Sequence, residues 1–132
     1  MNTESLVNPR VIVIQKLYGN HLSKDSEIIF PKHRYKKFIK DVVNGTIERK
    51  ELIESLIKKE LKDDINENKT QLMIILMIKA AIYEFMFMHK TPIKVVINEY
   101  LKVSDAFVDD SQKGFLNAVL DKISKVSRIV NE

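Results

Sequence analysis

Residues 72–88, LMIILMIKAAIYEFMFM, are the most apolar stretch of the chain and decide its fold. A helix that is hydrophobic on nearly all sides has to be buried, either in a protein core or in a bilayer. A membrane span needs about 20 predominantly apolar residues, and a charge near the middle of the bilayer costs roughly 3 kcal/mol or more. This stretch is slightly short and carries Lys79 and Glu84, with Lys79 near its middle. The sequence therefore predicts the central helix of a protein core and no membrane span.

The composition of the chain indicates one helical domain over residues 1–132. This length suffices for a single domain with a sizeable core, and a hydrophobic fraction of 45% is too high for a disordered chain. Three glycines and three prolines leave little turn material for an all-β fold. The absence of cysteine excludes a disulfide framework and is typical of a reducing cytosol. Because the polar N-terminal residues also lack the apolar core of a signal peptide, the sequence predicts a cytoplasmic protein.

Apolar residues recur at helical spacing on both sides of the central stretch. Asn8 is a good N-cap and Pro9 suits the first helical position, so a first helix is predicted to begin there. Residues 32–62 are predicted to form one long helix kinked at Gly45, where a glycine costs about 1 kcal/mol. A complete break at this glycine is the alternative. With two further helices, at residues 92–107 and from residue 115 onward, the prediction is an all-α bundle of five or six helices.

The sequence contains no constellation typical of catalysis or of a metal site. Its three glycines, at positions 19, 45 and 114, are too far apart to form a phosphate-binding loop. The histidines, His21, His33 and His89, lie in different segments and lack the spacing of metal ligands. We therefore predict a protein that is not an enzyme and uses neither a cofactor nor a metal.

The most basic part of the chain is the segment 32–40, called the basic block below. No acidic residue occurs in it before Asp41, and its cations are Lys32, Arg34, Lys36, Lys37 and Lys40. His33 and Tyr35 lie between these cations, and the functional interpretation is a phosphate-binding patch with interleaved aromatic rings. The net charge of +4 permits binding of a polyanion without requiring it. A solvated helix face without a partner is the alternative.

Four polar residues interrupt the apolar pattern of two neighbouring helices. Lys79 and Glu84 belong to the central helix, and Asn98 and Glu99 belong to the helix that follows it. Buried polar groups need partners. We therefore predict a structural polar network among these four side chains, with no functional role required.

The second half of the chain resembles the NusB family of transcription antitermination factors. The matching positions follow the family's order: Tyr83-Glu84, Pro92, Ile97-Asn98-Glu99 and the run FLNAVLDK at residues 115–122. Positions of the first half are similar to the family as well: Arg10, Gln15, Leu17, Tyr18, Val43 and Gly45. The likeness spans almost the whole chain.

This resemblance implies an all-α fold of two three-helix bundles packed together, without catalytic activity. It also implies that the protein binds the boxA element of ribosomal RNA transcripts as single-stranded RNA. Its implied partners are NusE, which is also a ribosomal small-subunit protein, and the RNA polymerase antitermination complex, whose processive elongation it supports. Members of the family occur as monomers and as dimers, so the resemblance leaves a homodimer open.

The resemblance also implies an RNA-binding surface. The family places RNA on N-terminal arginines, on an aromatic residue that ends the first helix and on the turn before the last helix, which here are Arg10, Tyr18, Asp110, Ser111, Lys113 and Phe115. A core position is the alternative for Phe115. Because Arg10 stands alone where the family has several arginines, we hypothesise that the basic block partly replaces them. The same shortage of arginine favours an alternative function, a diverged helical protein–protein adaptor that has lost RNA recognition.

Overall fold

The computed structural model describes residues 7–66 and 68–130, with side chains as far as Arg128. These residues form six α-helices: α1 (Pro9–Leu22), α2 (Lys36–Glu48), α3 (Lys50–Glu60), α4 (Leu72–Phe87), α5 (Ile93–Phe107) and α6 (Lys113–Val130). A 3₁₀ turn, Asp110–Gln112, precedes α6. No strand occurs within the described ranges, and the predicted all-α class is confirmed.

Helix α4 lies at the centre of the molecule, as its apolar sequence predicts. It packs against each of the other five helices, and side chains such as Met77, Ile78, Ile82 and Phe85 have no exposed surface. Full burial of one such side chain contributes about 1.5–3 kcal/mol, so this helix supplies much of the free energy that holds the core together. None of the helices in the described residues is long and apolar enough to cross a bilayer.

The six helices are arranged around α4 in two groups. Helices α4, α5 and α6 form a three-helix bundle in which every pair packs together. In the first half of the chain, α2 packs against both α1 and α3, and all three reach α4. One continuous cluster of buried apolar side chains draws on all six helices. The two groups therefore share a single core.

Helix α1 begins at the predicted cap. Asn8 Oδ1 accepts a hydrogen bond from the backbone N–H of Arg10 at 2.9 Å, and Pro9 occupies the first helical position. Ile14 and Leu17 are buried one and two turns further on. The cap thus fixes Arg10 in the first turn of a helix whose apolar face lies against the core.

The predicted kink in the long helix occurs at Arg49 and not at Gly45. Arg49 has φ −98° and ψ 21°, and it separates α2 from α3. Its N–H still donates to the carbonyl of Gly45 at 2.9 Å, and its own carbonyl accepts from Ile53 at 2.9 Å. The backbone hydrogen bonds therefore continue through the kink.

Gly45 has a packing role instead of a hinge role. It lies buried inside α2, and a Cβ at this position would overlap the aromatic ring of Tyr83 on α4. The absence of a side chain therefore allows α2 and α4 to approach each other closely. This contact explains why a glycine occurs within a helix, where it costs about 1 kcal/mol of propensity.

The start of α2 also differs from the prediction. The helix begins at Lys36, after a short turn in which the backbone N–H of Tyr35 donates to His33 Nδ1 at 2.9 Å. This side-chain bond competes with the helical pattern of the backbone. Lys32 and Arg34 consequently precede the helix, whereas Lys36, Lys37 and Lys40 lie on it.

Candidate functional site

Arg10 is held in the protein interior. Its Nε donates to Glu84 Oε2 at 2.9 Å and its Nη2 donates to Glu84 Oε1 at 2.7 Å, which makes a bidentate ion pair between α1 and α4. The guanidinium lies 4.7 Å from the ring centroid of Phe38, and only 11% of the side chain is exposed. An arginine engaged in this way does not present its donors to a phosphate. The structure therefore makes Arg10 a structural residue of the core, whereas its assignment to the RNA-binding surface remains a prediction of the resemblance.

Tyr100 on α5 is the third member of this buried cluster. Its hydroxyl donates to Glu84 Oε2 at 2.5 Å, and both side chains are fully buried. Burial raises the pKa of Tyr100 well above its ordinary value, and the neighbouring Glu84 carboxylate raises it further. The hydroxyl therefore keeps its proton and remains a donor to the carboxylate.

The predicted network of Lys79, Glu84, Asn98 and Glu99 is wrong. Lys79 pairs with Glu54 on α3 at 2.9 Å, Glu99 lies 3.7 Å from Lys102, and Asn98 is exposed. Successive residues of a helix point about 100° apart. On α5 it is therefore Tyr100, and not Asn98 or Glu99, that faces Glu84. The sequence indicated Glu84 as a buried carboxylate in need of a partner. It could not show that its main partner is Arg10 in the first turn of α1.

The basic block is an exposed, cationic surface where α2 begins. The side chains of Lys32, Arg34, Lys36, Lys37 and Lys40 are all exposed. Lys37 forms an ion pair with Asp41 at 2.8 Å, whereas the other four cations have no ion-pair partner among the described residues. Solvent screens an exposed pair of this kind, so it holds Lys37 only weakly. Most of the positive charge of the block is thus available to an anion.

Aromatic rings lie among these cations. The guanidinium of Arg34 is 5.5 Å from the ring centroid of Tyr35, and Tyr35 is 50% exposed. His33 Nδ1 accepts the Tyr35 N–H, so Nε2 carries the ring proton and donates to the carbonyl of Val7 at 2.6 Å. This bond ties the residues just before α1 to the basic block. The block therefore combines positive charge with an exposed aromatic face on an anchored segment.

The remaining residues that the resemblance assigns to RNA lie on other elements. Tyr18 is 38% exposed on α1, and Asp110 and Ser111 are exposed in the 3₁₀ turn. Lys113 pairs with Asp105 at 2.5 Å, and Phe115 packs partly buried against the core, as its alternative assignment predicts. No hydrogen bond, ion pair or ring contact within residues 7–66 and 68–130 joins any of them to the basic block.

Comparison with known proteins places this architecture in a family. The sequence model of the NusB family matches residues 8–125. The chain belongs to the NusB family. A solved structure of T. maritima NusB has the same fold, with a TM-score of 0.77 over 89% of each chain at 22% sequence identity.

Curated NusB relatives show the extent of the sequence match. The transcription antitermination protein NusB of Rickettsia bellii is 32% identical over 64% of this chain and 54% of its own length. The protein of that name from Bradyrhizobium diazoefficiens is 32% identical over 69% of this chain and 55% of its own length. The chain thus spans about half the length of the curated NusB relatives it matches.

Proposed function

We propose that this protein is a cytoplasmic transcription antitermination factor that binds boxA RNA together with NusE. In this role it joins the RNA polymerase antitermination complex and supports processive elongation through ribosomal RNA genes. The observation that carries the proposal is the family match over residues 8–125, together with relatives named as transcription antitermination proteins. The protein contributes binding surfaces and no catalytic step.

The basic block supports the RNA part of this proposal. Lys32, Arg34, Lys36 and Lys40 are exposed and unpaired among the described residues, so each is free to neutralise a phosphate. Counterions released by such contacts provide much of the affinity for a nucleic acid. Tyr18 and Tyr35 add exposed rings on which bases stack, a contact worth about 1–3 kcal/mol per base.

The limited charge of the chain supports the need for a protein partner. The net charge is only +4, and Arg10 is committed to Glu84. Few phosphate contacts release few counterions and therefore give weak binding. We therefore infer that NusE supplies further contacts to the RNA. The exposed turn with Asp110 and Ser111, together with Lys113 at the start of α6, completes the surface on this side.

The position of Arg10 favours a second candidate, a helical protein–protein adaptor that no longer recognises RNA. The resemblance implies RNA contacts by N-terminal arginines, yet the arginine of α1 is almost fully enclosed. An adaptor of this kind keeps the fold and the docking surface for a partner. It does not need free cations.

Fluorescence anisotropy with labelled boxA RNA, measured with and without NusE, separates the two candidates. The antitermination proposal predicts weak binding by the protein alone and at least about tenfold tighter binding with NusE, a coupling of about 1.4 kcal/mol. A scrambled RNA of the same composition is the control and should show no such gain. An adaptor binds NusE without raising the affinity for boxA RNA, and failure to bind RNA under both conditions would exclude the proposal.

A further inference from the structure

A groove next to the basic block contains apolar and uncharged polar side chains that do not belong to the implied RNA-binding surface. It lies between the end of α1, residues 24–30 and α2, and its volume is about 450 Å³. This volume falls within the range of about 300–1,000 Å³ that ligand pockets in proteins occupy. Its apolar part consists of the half-buried side chains of Ile28, Phe30 and Ile47. The groove therefore offers an aromatic and aliphatic surface open to solvent.

Three polar side chains of the groove are free to bind a ligand. Asn20 and Asn44 have no side-chain hydrogen bond to any described residue, and Glu48 has no ion pair among them. An amide offers both donors and acceptors, and a carboxylate accepts hydrogen bonds from an exocyclic amino group of a base. Such a set fits the edge of a nucleobase better than the surface of a phosphate.

Helix α2 connects this groove to the basic block. Residues 36, 40 and 44 follow one another at intervals of four, so they lie on one face of the helix. Lys36 belongs to the basic block, Lys40 belongs to both the block and the groove, and Asn44 belongs to the groove. The ammonium of Lys40 is 6.0 Å from the ring centroid of Phe30. A polyanion bound along the lysines of α2 therefore passes the opening of the groove.

We propose that this groove binds one nucleotide of single-stranded RNA. Its base stacks on Phe30, and its flanking phosphates contact Lys24 and Lys40. The base edge faces Asn20, Asn44 and Glu48, and the carboxylate favours a base with an exocyclic amino group over uracil. The inference rests on the proposed RNA-binding function and adds a site at which the protein reads a base.

An abasic scan of boxA RNA tests this inference, with the protein and NusE present and affinity measured by anisotropy. We expect one position at which loss of the base weakens binding to the wild-type protein by about 5- to 100-fold. Phe30→Leu, which removes the aromatic face, and Asn44→Ala should weaken binding to intact RNA and be insensitive to the abasic change at that position. Lys58→Ala, at an exposed lysine of α3, is the control and should behave like the wild type. Circular dichroism confirms that each variant is folded.

The outcomes distinguish this inference from the proposed function. If the wild type binds boxA RNA and every variant keeps the full sensitivity to each abasic position, the groove is not a base-binding site and only this inference is lost. If the wild type binds no RNA with NusE present, the proposed function is lost as well. A loss of NusE affinity in Asn44→Ala, with RNA affinity unchanged, would make the groove a protein-docking surface and overturn the inference.

Discussion

Arg10, Glu84 and Tyr100 connect three helices through one buried carboxylate. Glu84 accepts two hydrogen bonds from the charged guanidinium of Arg10 and one from the neutral hydroxyl of Tyr100. Burial of a charge is tolerated only when it is paired and hydrogen-bonded. At the scale of the residue, then, the arginine that the resemblance assigns to RNA contributes to stability.

Arg10→Ala tests this structural role. Removal of one partner from a buried ion pair leaves the other charge uncompensated, so we expect a loss of about 3–5 kcal/mol in the free energy of unfolding. Urea unfolding followed by circular dichroism measures it. Lys37→Ala, which breaks the exposed pair with Asp41, is the matched control and should lower the free energy of unfolding far less than Arg10→Ala does, because solvent screens an exposed pair. A loss as small as that of the control in Arg10→Ala would contradict the role.

The same cluster predicts a loss of stability at high pH. The pKa of Tyr100 is raised in the folded protein by burial and by Glu84, so the folded state holds this proton more tightly than the unfolded chain does. The protonated hydroxyl of Tyr100 makes its full contribution to the free energy of unfolding below about pH 10, the pKa of an unfolded tyrosine. This contribution is lost as the pH rises from there through the folded-state pKa.

Tyr100→Phe should remove this part of the pH dependence. It should also cost about 1.5–3 kcal/mol near neutral pH, because a hydrogen bond to a charged group is lost. Urea unfolding from about pH 8 to about pH 11 measures both effects. The control is Tyr35→Phe, at a half-exposed tyrosine outside this cluster, which should keep the free energy of unfolding near neutral pH close to that of the wild type. An identical alkaline profile in Tyr100→Phe and the wild type would rule out this explanation.

At the scale of the element, α2 carries the cations that we assign to RNA. Lys36 and Lys40 share one face of this helix and have no ion-pair partner among the described residues. Lys37 differs from them because Asp41 lies 2.8 Å away. The hypothesis that the basic block replaces missing arginines therefore rests mainly on Lys36 and Lys40 within the helix, and on Lys32 and Arg34 before it.

The double variant Lys36→Ala/Lys40→Ala tests the contribution of α2. Each lost phosphate contact should reduce the slope of log K against log salt by about 0.7 for a single strand, so two contacts reduce it by about 1.4. Titrations of boxA RNA at several salt concentrations, with NusE present, measure the slope. Lys58→Ala/Lys59→Ala removes the same charge from the exposed face of α3 and is the control. Equal slopes in the two double variants would remove α2 from the RNA surface.

The helices were more predictable from the sequence than the contacts between them. The apolar run of α4 and the Asn8-Pro9 start of α1 are signals between residues close together in the sequence. Both helices occur where these signals predicted them. The kink lies at Arg49, whereas Gly45 serves the packing of α2 against Tyr83, a contact that connects distant parts of the chain.

The candidate site shows the same division between local and distant information. Exposure of the basic block follows from its lysines and was predictable. The pairing of Arg10 with Glu84 spans 74 positions, and the groove combines α1, the link after it and α2. Spacing within one helix does not reveal such combinations.

At the scale of the whole molecule, one core holds several separate surfaces in fixed positions. Helix α4 contacts every other helix, and the helices share one cluster of buried side chains. The elements that carry the basic block, Tyr18 and the turn before α6 therefore pack against the same core. Rigid placement of cations and aromatic rings lowers the entropic cost of binding. This arrangement suits a binding protein that presents surfaces to RNA and to a partner at the same time.

Transcription through a terminator placed downstream of boxA tests the proposed function most directly. The assay uses elongation complexes of RNA polymerase with NusE and the other antitermination factors, and it compares an intact boxA with a scrambled one. We predict that adding this protein raises the fraction of full-length transcripts on the intact template and leaves the scrambled template unchanged. Equal read-through on both templates, at protein concentrations that saturate NusE, would contradict the proposal.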